Sequence, residues 1–137
     1  MKTTILLAAA ILAGPAAHAE TPAALLDGYR AAAVARATSY AGPSVRRGDE
    51  FFHARGKDWS CATCHMADPR QAGRHAVTGK SIKPLAPAAN SARFADSAKA
   101  EKWFKRNCRD TLGRECTAAE KADLLAYLMS LGNRSTP

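Results

Sequence analysis

The most constraining feature of this 137-residue sequence is a Cys-Ala-Thr-Cys-His segment at residues 61–65. Two cysteines separated by two residues and followed at once by histidine form the attachment signature of c-type haem. Cys61 and Cys64 can each add to one vinyl group of the porphyrin, and His65 can then bind the iron from one side. The segment therefore predicts one covalently attached haem c, and the rest of the chain must fold around that large apolar group.

Three other interpretations compete with haem attachment. A thioredoxin-like redox pair expects a strand before the motif, whereas residues 56–60 and 66–69 have the composition of loops. A zinc site that recruited Cys108 and Cys116 would lack the tight second pair of a zinc ribbon, because seven residues separate these two. A plain disulfide within the motif leaves His65 without a role. Haem attachment is the interpretation that uses all three motif residues.

The beginning of the chain has the pattern of a secretory signal. Lys2 supplies the positive start, an apolar run follows, and residues 17–19 (Ala-His-Ala) form a small-x-small cleavage site. The run is too short to span a bilayer, and no later stretch is long and apolar enough to do so; an uncleaved anchor is the alternative. We therefore expect residues 1–19 to be removed and residues 20–137 to form one periplasmic domain, with residues 20–42 as an N-terminal helical extension.

Export and charge limit the partners that this chain can have. Cys108 and Cys116, which the haem motif does not use, can form a disulfide in an oxidising compartment. Residues 1–19 hold one of the 20 Lys and Arg and none of the 12 Asp and Glu, so the formal net charge of the mature chain falls from +8 to +7. Such a charge favours docking to acidic redox proteins or to an anionic membrane surface, and a merely soluble basic surface is the alternative. No nucleic-acid partner is expected outside the cytoplasm.

The residues after the signal have helical periodicity. Thr21 can cap a helix that has Pro22 at its first position, and Gly42-Pro43 is expected to end this helix. Its apolar residues recur at steps of three or four: Leu26, Tyr29, Ala33, Ala37 and Tyr40. The sequence thus predicts a first helix that buries one face.

A second, short helix is predicted between Ser44, which can cap it, and a break at Gly56. Gly48 and Phe52 are four residues apart and therefore lie on the same side of this helix. A glycine one turn from an aromatic ring allows another helix to cross closely. The alternative is that Gly48 simply weakens the helix.

Two helices are predicted near the C-terminus, after a long loop over residues 68–87 that contains three prolines and two glycines. Asp96 can cap the first of them, and Gly113 ends it. Residues 117–120 form a capping box for the last helix. The apolar stripe of that helix consists of Leu124, Tyr127, Leu128 and Leu131. Because no segment alternates long enough for a strand, we predict an all-α fold of helices wrapped around one covalently attached haem.

The ligand on the far side of the iron has to be found by elimination. Met66 directly follows the proximal histidine and is therefore tied to the same side of the ring. Met129 lies within the last helix, where packing in the core is the commoner role. His53, His75 and Asn107 remain candidates on their chemistry alone.

Four segments give the sequence a family resemblance: residues 78–80 (Thr-Gly-Lys), 84–87 (Pro-Leu-Ala-Pro), 102–108 (Lys-Trp-Phe-Lys-Arg-Asn-Cys) and 113–117 (Gly-Arg-Glu-Cys-Thr). Together with the order of helix, haem motif, loop and C-terminal helix, they make the chain similar to class I cytochromes c. More narrowly, the chain resembles the high-spin, oxygen-binding sphaeroides haem protein group. The resemblance runs from about residue 44 to residue 131 and does not include the first helix.

The resemblance implies a set of iron ligands and a switch between them. In that group an asparagine is the distal ligand of the oxidised protein, and Asn107 occupies the matching position, next to the first cysteine of a Cys108–Cys116 disulfide. An amide oxygen suits ferric iron better than ferrous iron, so reduction should release Asn107 and open a site for O₂, NO or CO. The resemblance also implies a multihaem or membrane cytochrome as the electron donor.

Two other functions remain open on the sequence. A plain electron carrier would use His65 and Met129 as its axial ligands, and a haem enzyme would act on NO or peroxide. Trp103 and Phe104 either line the haem pocket or belong to the core. Three basic residues either neutralise the haem propionates or are solvated loop charges: Lys80, Lys83 and Arg93.

Overall fold

The computed structural model describes residues 20–133, so the predicted signal segment and the last four residues lie outside the described part of the chain. In chain order, its regular elements are α1 (Pro22–Arg36), α2 (Val45–His53), α3 (Cys61–His65), β1 (Gly73–Arg74), β2 (Ser81–Ile82), α4 (Ser97–Leu112), α5 (Ala118–Ser130) and a 3₁₀ turn (Leu131–Asn133). Helix α5 packs against both α1 and α2. The core forms where these three helices meet α4.

Helix α1 begins as predicted but ends earlier than predicted. The side chain of Thr21 caps it by accepting a hydrogen bond from Ala24 N at 3.1 Å. The helix stops at Arg36, before an extended Ala37, so Gly42-Pro43 does not end it. The reason is a long-range contact: the chain leaves the helix so that the Tyr40 hydroxyl can donate to Asp123 of α5 at 2.9 Å.

Helix α2 crosses α5 closely at Gly48. Ser44 caps α2 as predicted, by accepting from Arg47 N at 3.2 Å. A Cβ atom on Gly48 would lie 2.8 Å from the Cβ of Tyr127 and would overlap the backbone carbonyl of Asp123. The predicted close crossing is therefore confirmed, and the alternative that Gly48 merely weakens the helix is wrong.

A buried carboxylate, Asp123, joins the start of α2 to the middle of α5. It accepts hydrogen bonds from Ser44 N at 2.8 Å and from Arg47 Nε at 2.7 Å, besides the one from Tyr40. A charge buried in an apolar core is tolerated when it is paired and fully hydrogen-bonded. Asp123 therefore fixes the position of α2, the helix that precedes the haem motif. The apolar pattern of the sequence did not predict this role.

Helix α4 has the predicted ends. The Asp96 carboxylate accepts from Lys99 N at 2.8 Å, and the helix ends at Gly113, whose φ of +70° is the left-handed conformation that favours glycine. Its buried residues are Ala100, Phe104 and Cys108. Trp103 is 43% exposed, whereas Phe104 is buried. Of these two aromatic neighbours, Phe104 therefore belongs to the core and Trp103 does not.

Helix α5 starts with the predicted capping box. Thr117 Oγ1 accepts from Glu120 N at 3.2 Å, and Glu120 Oε2 accepts from Thr117 N at 2.8 Å. The predicted apolar stripe is buried: Leu124, Tyr127, Leu128 and Leu131. The local prediction for this helix is thus confirmed from its cap to its buried face.

The long loop after the motif contains a small hairpin that the sequence did not predict. Strands β1 and β2 pair antiparallel, with Gly73 opposite Ile82 and Arg74 opposite Ser81. Strands of two residues are too short to show alternation, which explains the wrong prediction of a loop without strands. The other regular structure within residues 20–133 is helical, so the predicted all-α class is confirmed. No helix in this range is long and apolar enough to cross a bilayer.

Candidate functional site

The predicted attachment motif forms the one-turn helix α3. The Ser60 hydroxyl accepts from Thr63 N at 3.2 Å, and the Thr63 hydroxyl accepts from Ser60 N at 3.0 Å. This reciprocal cap fixes the turn on which Cys61 and Cys64, three residues apart, come to one side. Neither cysteine is part of a disulfide, so both sulfur atoms are available for attachment. The two covalent anchors that haem c requires are therefore present in one rigid turn.

His65 ends α3 and is half-buried. Burial, and to a smaller degree the positive charge of Arg93, lower the pKa of His65 to about 4. The imidazole is therefore neutral at neutral pH, which is the form that binds iron. Met66 follows with a φ of +64°, outside the helical region, so the helix stops directly after His65.

The hairpin lies directly against the motif. A Cβ atom on Gly73 would come within 3.1 Å of the His65 Cα and would overlap the carbonyl oxygen of Cys64. Just beyond β1, Ala76 N donates to the Cys64 sulfur at 3.4 Å. Glycine is thus required at residue 73, because only its bare backbone lets the hairpin approach α3 this closely.

Large apolar side chains next to the motif are exposed. Trp59, before the motif, is 37% exposed, and Met66, after it, is 42% exposed. Val77, which follows the residue bonded to the Cys64 sulfur, is 75% exposed. A porphyrin ring attached here would cover such side chains and remove their apolar surface from water. Together with two thiols and a neutral imidazole, these residues fit haem c.

Asn107 lies on α4, one helical turn after the exposed Trp103. Its side chain is exposed, and its amide makes no hydrogen bond to any residue in the range 20–133. An amide oxygen that has no partner among these residues can bind another group. Ligation of iron by Asn107 nevertheless stays a prediction.

The end of α4 is braced against the segment that leads into the motif. Lys57 N donates to the backbone carbonyl of Thr111 at 2.7 Å. Gly56 is pressed against the same carbonyl, and a Cβ atom there would lie 3.0 Å from Leu112 Cδ2. In turn, the Thr111 hydroxyl donates to the Asn107 carbonyl at 2.8 Å. One hydrogen bond, from Lys57 N to the Thr111 carbonyl, thus links the helix that carries Asn107 to the segment before the motif.

His53 uses both of its ring nitrogens within the protein. Its Nδ1 lies 3.0 Å from an Asp49 side-chain oxygen, and its Nε2 lies 3.2 Å from the carbonyl oxygen of Ala67. The contact with Ala67 ties α2 to the residues that follow the motif. His53 is therefore a structural link in this arrangement.

His75 and Met129 also have roles in packing. The Nδ1 of His75 accepts hydrogen bonds from Val77 N at 3.3 Å and from Thr78 N at 3.2 Å, and so closes the turn between the two strands. Met129 packs against the apolar core from α5. This agrees with the core role that the sequence favoured for Met129.

Cys108 and Cys116 have their sulfur atoms at bonding distance and their Cα atoms 5.6 Å apart, in agreement with the predicted disulfide. The bond ties the end of α4 to the start of α5. Among residues 20–133, no three His, Cys, Asp or Glu side chains come together to hold a metal ion, so the zinc alternative is wrong for this part of the chain. The thioredoxin-like alternative is also wrong, because the residues described before the motif, 20–60, form helices and loops and no strand.

Known proteins match almost the whole chain. A family profile described as "Domain of unknown function (DUF1924)" matches residues 38–128. The chain is 49% identical over 132 residues to the cytochrome c-type protein SHP of Cereibacter sphaeroides, a match that covers 92% of this chain and 97% of that protein. The chain belongs to the sphaeroides haem protein (SHP) group of c-type cytochromes.

Solved structures agree with this assignment. The structure of oxidised SHP, an oxygen-binding cytochrome c, matches with a TM-score of 0.73 and 45% identity, over 82% of this chain and 99% of that one. The solution structure of cytochrome c'' from Methylophilus methylotrophus, a protein whose haem ligand detaches, matches with a TM-score of 0.73 and 37% identity, over 84% of this chain and 97% of that one. As an SHP-type cytochrome, this chain carries one covalently bound haem c.

The sequence did not predict the roles that three residues of this SHP-type cytochrome have in supporting the site. Thr111 had a detectable signal, because a threonine four residues after Asn107 can bond back to its carbonyl. Gly56 and Gly73 had none beyond their identity, because their roles depend on which backbone approaches them.

Proposed function

We propose that this cytochrome is periplasmic, that it accepts an electron from a partner redox protein, and that it then binds a diatomic ligand such as O₂, NO or CO. In this proposal residues 1–19 are the cleaved signal and residues 20–137 are the mature domain. The partner is a multihaem or membrane cytochrome. Cys61 and Cys64 hold haem c, His65 is the proximal ligand, and a distal side chain gives way on reduction.

The observation that carries the proposal is that the side-chain amide of Asn107 is available to bind another group. Its amide is exposed and unbonded within the described residues, although the helix around it is braced on the segment before the motif. A fixed backbone with a free side chain allows the amide to bind or leave without unfolding the helix. We propose that Asn107 is this distal ligand.

The attached haem supplies the one-electron couple and the coordination site, and the protein supplies the preference between oxidation states. The Asn107 amide oxygen is a hard, neutral donor and favours ferric over ferrous iron. The neutral His65 imidazole would hold the iron in both states. An electron would therefore release Asn107 alone, and the position it leaves is open to a small ligand.

The relatives support the same proposal. SHP is named as an oxygen-binding cytochrome c, and haem-ligand detachment is named for cytochrome c''. The position of Met129 supports it as well, because this methionine packs against the core and would have to leave that packing to reach the iron.

The test is an Asn107→Ala variant of the haem-loaded protein. We expect full haem attachment, an altered ferric absorption spectrum and an unchanged ferrous spectrum with CO binding intact. Lys105→Ala is the matched control, because Lys105 is an exposed residue of the same helix and should leave both spectra unchanged.

An unchanged ferric spectrum in Asn107→Ala would remove Asn107 as a ligand. A ferric methionine-to-iron charge-transfer band that disappears in Met129→Leu would instead support a plain His/Met electron carrier. Turnover of NO or peroxide by the reduced protein, faster than by free haem, would support an enzyme.

A further inference from the structure

Arg93 is a half-buried cation that has no anionic partner among residues 20–133. Its Nε donates to the carbonyl oxygen of Pro84 at 3.0 Å, and its Nη2 donates to the carbonyl oxygen of Lys83 at 2.9 Å. These acceptors are neutral, and within residues 20–133 Arg93 forms no ion pair with a carboxylate. Removing a guanidinium from water costs free energy that carbonyl groups only partly offset. An anion bound to the Arg93 guanidinium would therefore offset the remaining free-energy cost of its burial.

The surrounding chain holds Arg93 in place. Asn90 Nδ2 donates to the same Pro84 carbonyl at 3.1 Å, which fixes the acceptor. Phe94, the next residue, has a φ of +59°, a left-handed backbone conformation that is strained for a bulky residue. The Phe94 ring packs beside Phe104 of α4 with ring centroids 6.3 Å apart. The guanidinium is thus positioned by the fold and is not a free loop charge.

The loop that holds Arg93 also contacts the residues that follow the haem motif. Pro84, whose carbonyl accepts from Arg93, is followed by Leu85, and Leu85 N donates to the carbonyl oxygen of Pro69 at 2.9 Å. Pro69 lies four residues after His65. Haem c attached at the motif would supply two carboxylates, its propionates, to this part of the protein.

We propose that Arg93 binds a haem propionate and is its fixed counter-ion. The Nη1 group, which makes no hydrogen bond to residues 20–133, is the donor left for it. A guanidinium held by two of its nitrogens presents the third to a carboxylate with little loss of entropy. This inference rests on the attached haem and does not depend on Asn107 or on a diatomic ligand.

The structure separates Arg93 from the two lysines of the same loop. Lys80 and Lys83 are exposed and solvated, whereas Arg93 is half-buried and anchored. Water and salt screen an exposed charge far more than a buried one. The lysines therefore serve as matched controls that remove the same formal charge.

The charge of Arg93 has a measurable consequence for the reduction equilibrium. A positive charge beside the haem favours the ferrous state, because reduction removes one positive charge from the iron. Loss of one partly buried charge should shift the equilibrium toward the ferric state by on the order of tenfold. For a one-electron couple this corresponds to a fall of about 59 mV in midpoint potential.

The experiment is a spectroelectrochemical titration of the haem-loaded protein at low and high salt. Arg93→Met and Arg93→Gln should each lower the midpoint potential by roughly this amount, and the shift should persist at high salt. Arg93→Lys keeps the charge and should stay within about twofold of the wild-type equilibrium. Lys83→Met should give a small shift that high salt removes. Haem mass and far-UV circular dichroism verify each variant.

Two results would overturn the proposal. One is a shift in Arg93→Met no larger than that in Lys83→Met. The other is a Gln variant that behaves like wild type while the Lys variant does not, which would mean that Arg93 only braces the loop through its hydrogen bonds. The comparison of Gln with Lys decides the question even if the Met variant attaches haem poorly.

Discussion

The hydroxyl of Thr111, the penultimate residue of α4, donates to the backbone carbonyl of Asn107 at 2.8 Å. Asn107 lies one helical turn earlier. The carbonyl of Thr111 itself accepts from Lys57 N at 2.7 Å, so the same residue also contacts the segment before the haem motif. Thr111 therefore couples the position of Asn107 to the position of the motif.

Thr111→Val should weaken ligation by Asn107 if that residue binds the ferric iron. Valine keeps the shape but loses the hydroxyl, and a hydrogen bond of about 0.5–1.5 kcal/mol corresponds to a two- to tenfold change in the ligation equilibrium. The Asn107-bound fraction, read from the ferric spectrum, should fall. Thr111→Ser retains the hydroxyl and should restore it. Equal spectra for the Val and Ser variants would exclude this positioning role.

Loss of the Cys108–Cys116 disulfide should both destabilise the protein and disturb the distal site. The short loop that it closes corresponds to about 2–3 kcal/mol in the chain-entropy model. Because Cys108 follows Asn107 directly, we expect the double Cys→Ser variant, or mild reduction, to alter the ferric spectrum and CO affinity as well. Denaturant unfolding and CO titration measure the two effects. A loss of stability without a change in the ferric spectrum would mean that the disulfide stabilises the fold but does not position Asn107.

Gly48→Ala should destabilise the protein although alanine is the better helix former. The added Cβ would overlap the Asp123 carbonyl and lie 2.8 Å from the Tyr127 Cβ, and overpacking of this kind costs about 1–3 kcal/mol. Gly28→Ala in α1 is the control, because nothing lies within 4 Å of its added Cβ. That variant should be stabilised by up to about 1 kcal/mol. Urea denaturation of the two variants measures how each substitution changes the free energy of unfolding. Changes of the same sign would contradict the prediction.

Glu120 should make stability depend on pH in the acidic range. The hydrogen bonds from Arg114, at 2.6 and 2.8 Å, are the main cause that holds the pKa of Glu120 below its ordinary value. A depressed pKa in the folded state contributes stability above the unfolded pKa of about 4.3, and that contribution is lost as pH falls through the folded value. Glu120→Gln should therefore be less stable than wild type at pH 7, with the difference shrinking below about pH 4. A difference in unfolding free energy that is constant from pH 7 to pH 3 would contradict this.

The sequence predicted most helix ends correctly, because these depend on neighbours in the chain. Ser44, Asp96 and Thr117 each cap a helix through a backbone N–H three residues away, and Gly113 ends α4 in the left-handed conformation. The covalent part of the haem site is equally local, because both thiols and the imidazole lie within five consecutive residues.

The sequence by itself therefore determined the features that depend on residues close together in the chain: the haem motif, the helix caps and the apolar stripes. Only the tertiary structure decided where α1 ends, because Tyr40 reaches Asp123 across 83 residues. It also decided which loop cation is buried, since the exposure of Arg93 depends on carbonyl groups and a ring brought to it by the fold. Hydrogen bonds between near neighbours form wherever the local sequence permits them, whereas a buried charge or a close backbone approach exists only after distant parts of the chain have packed together.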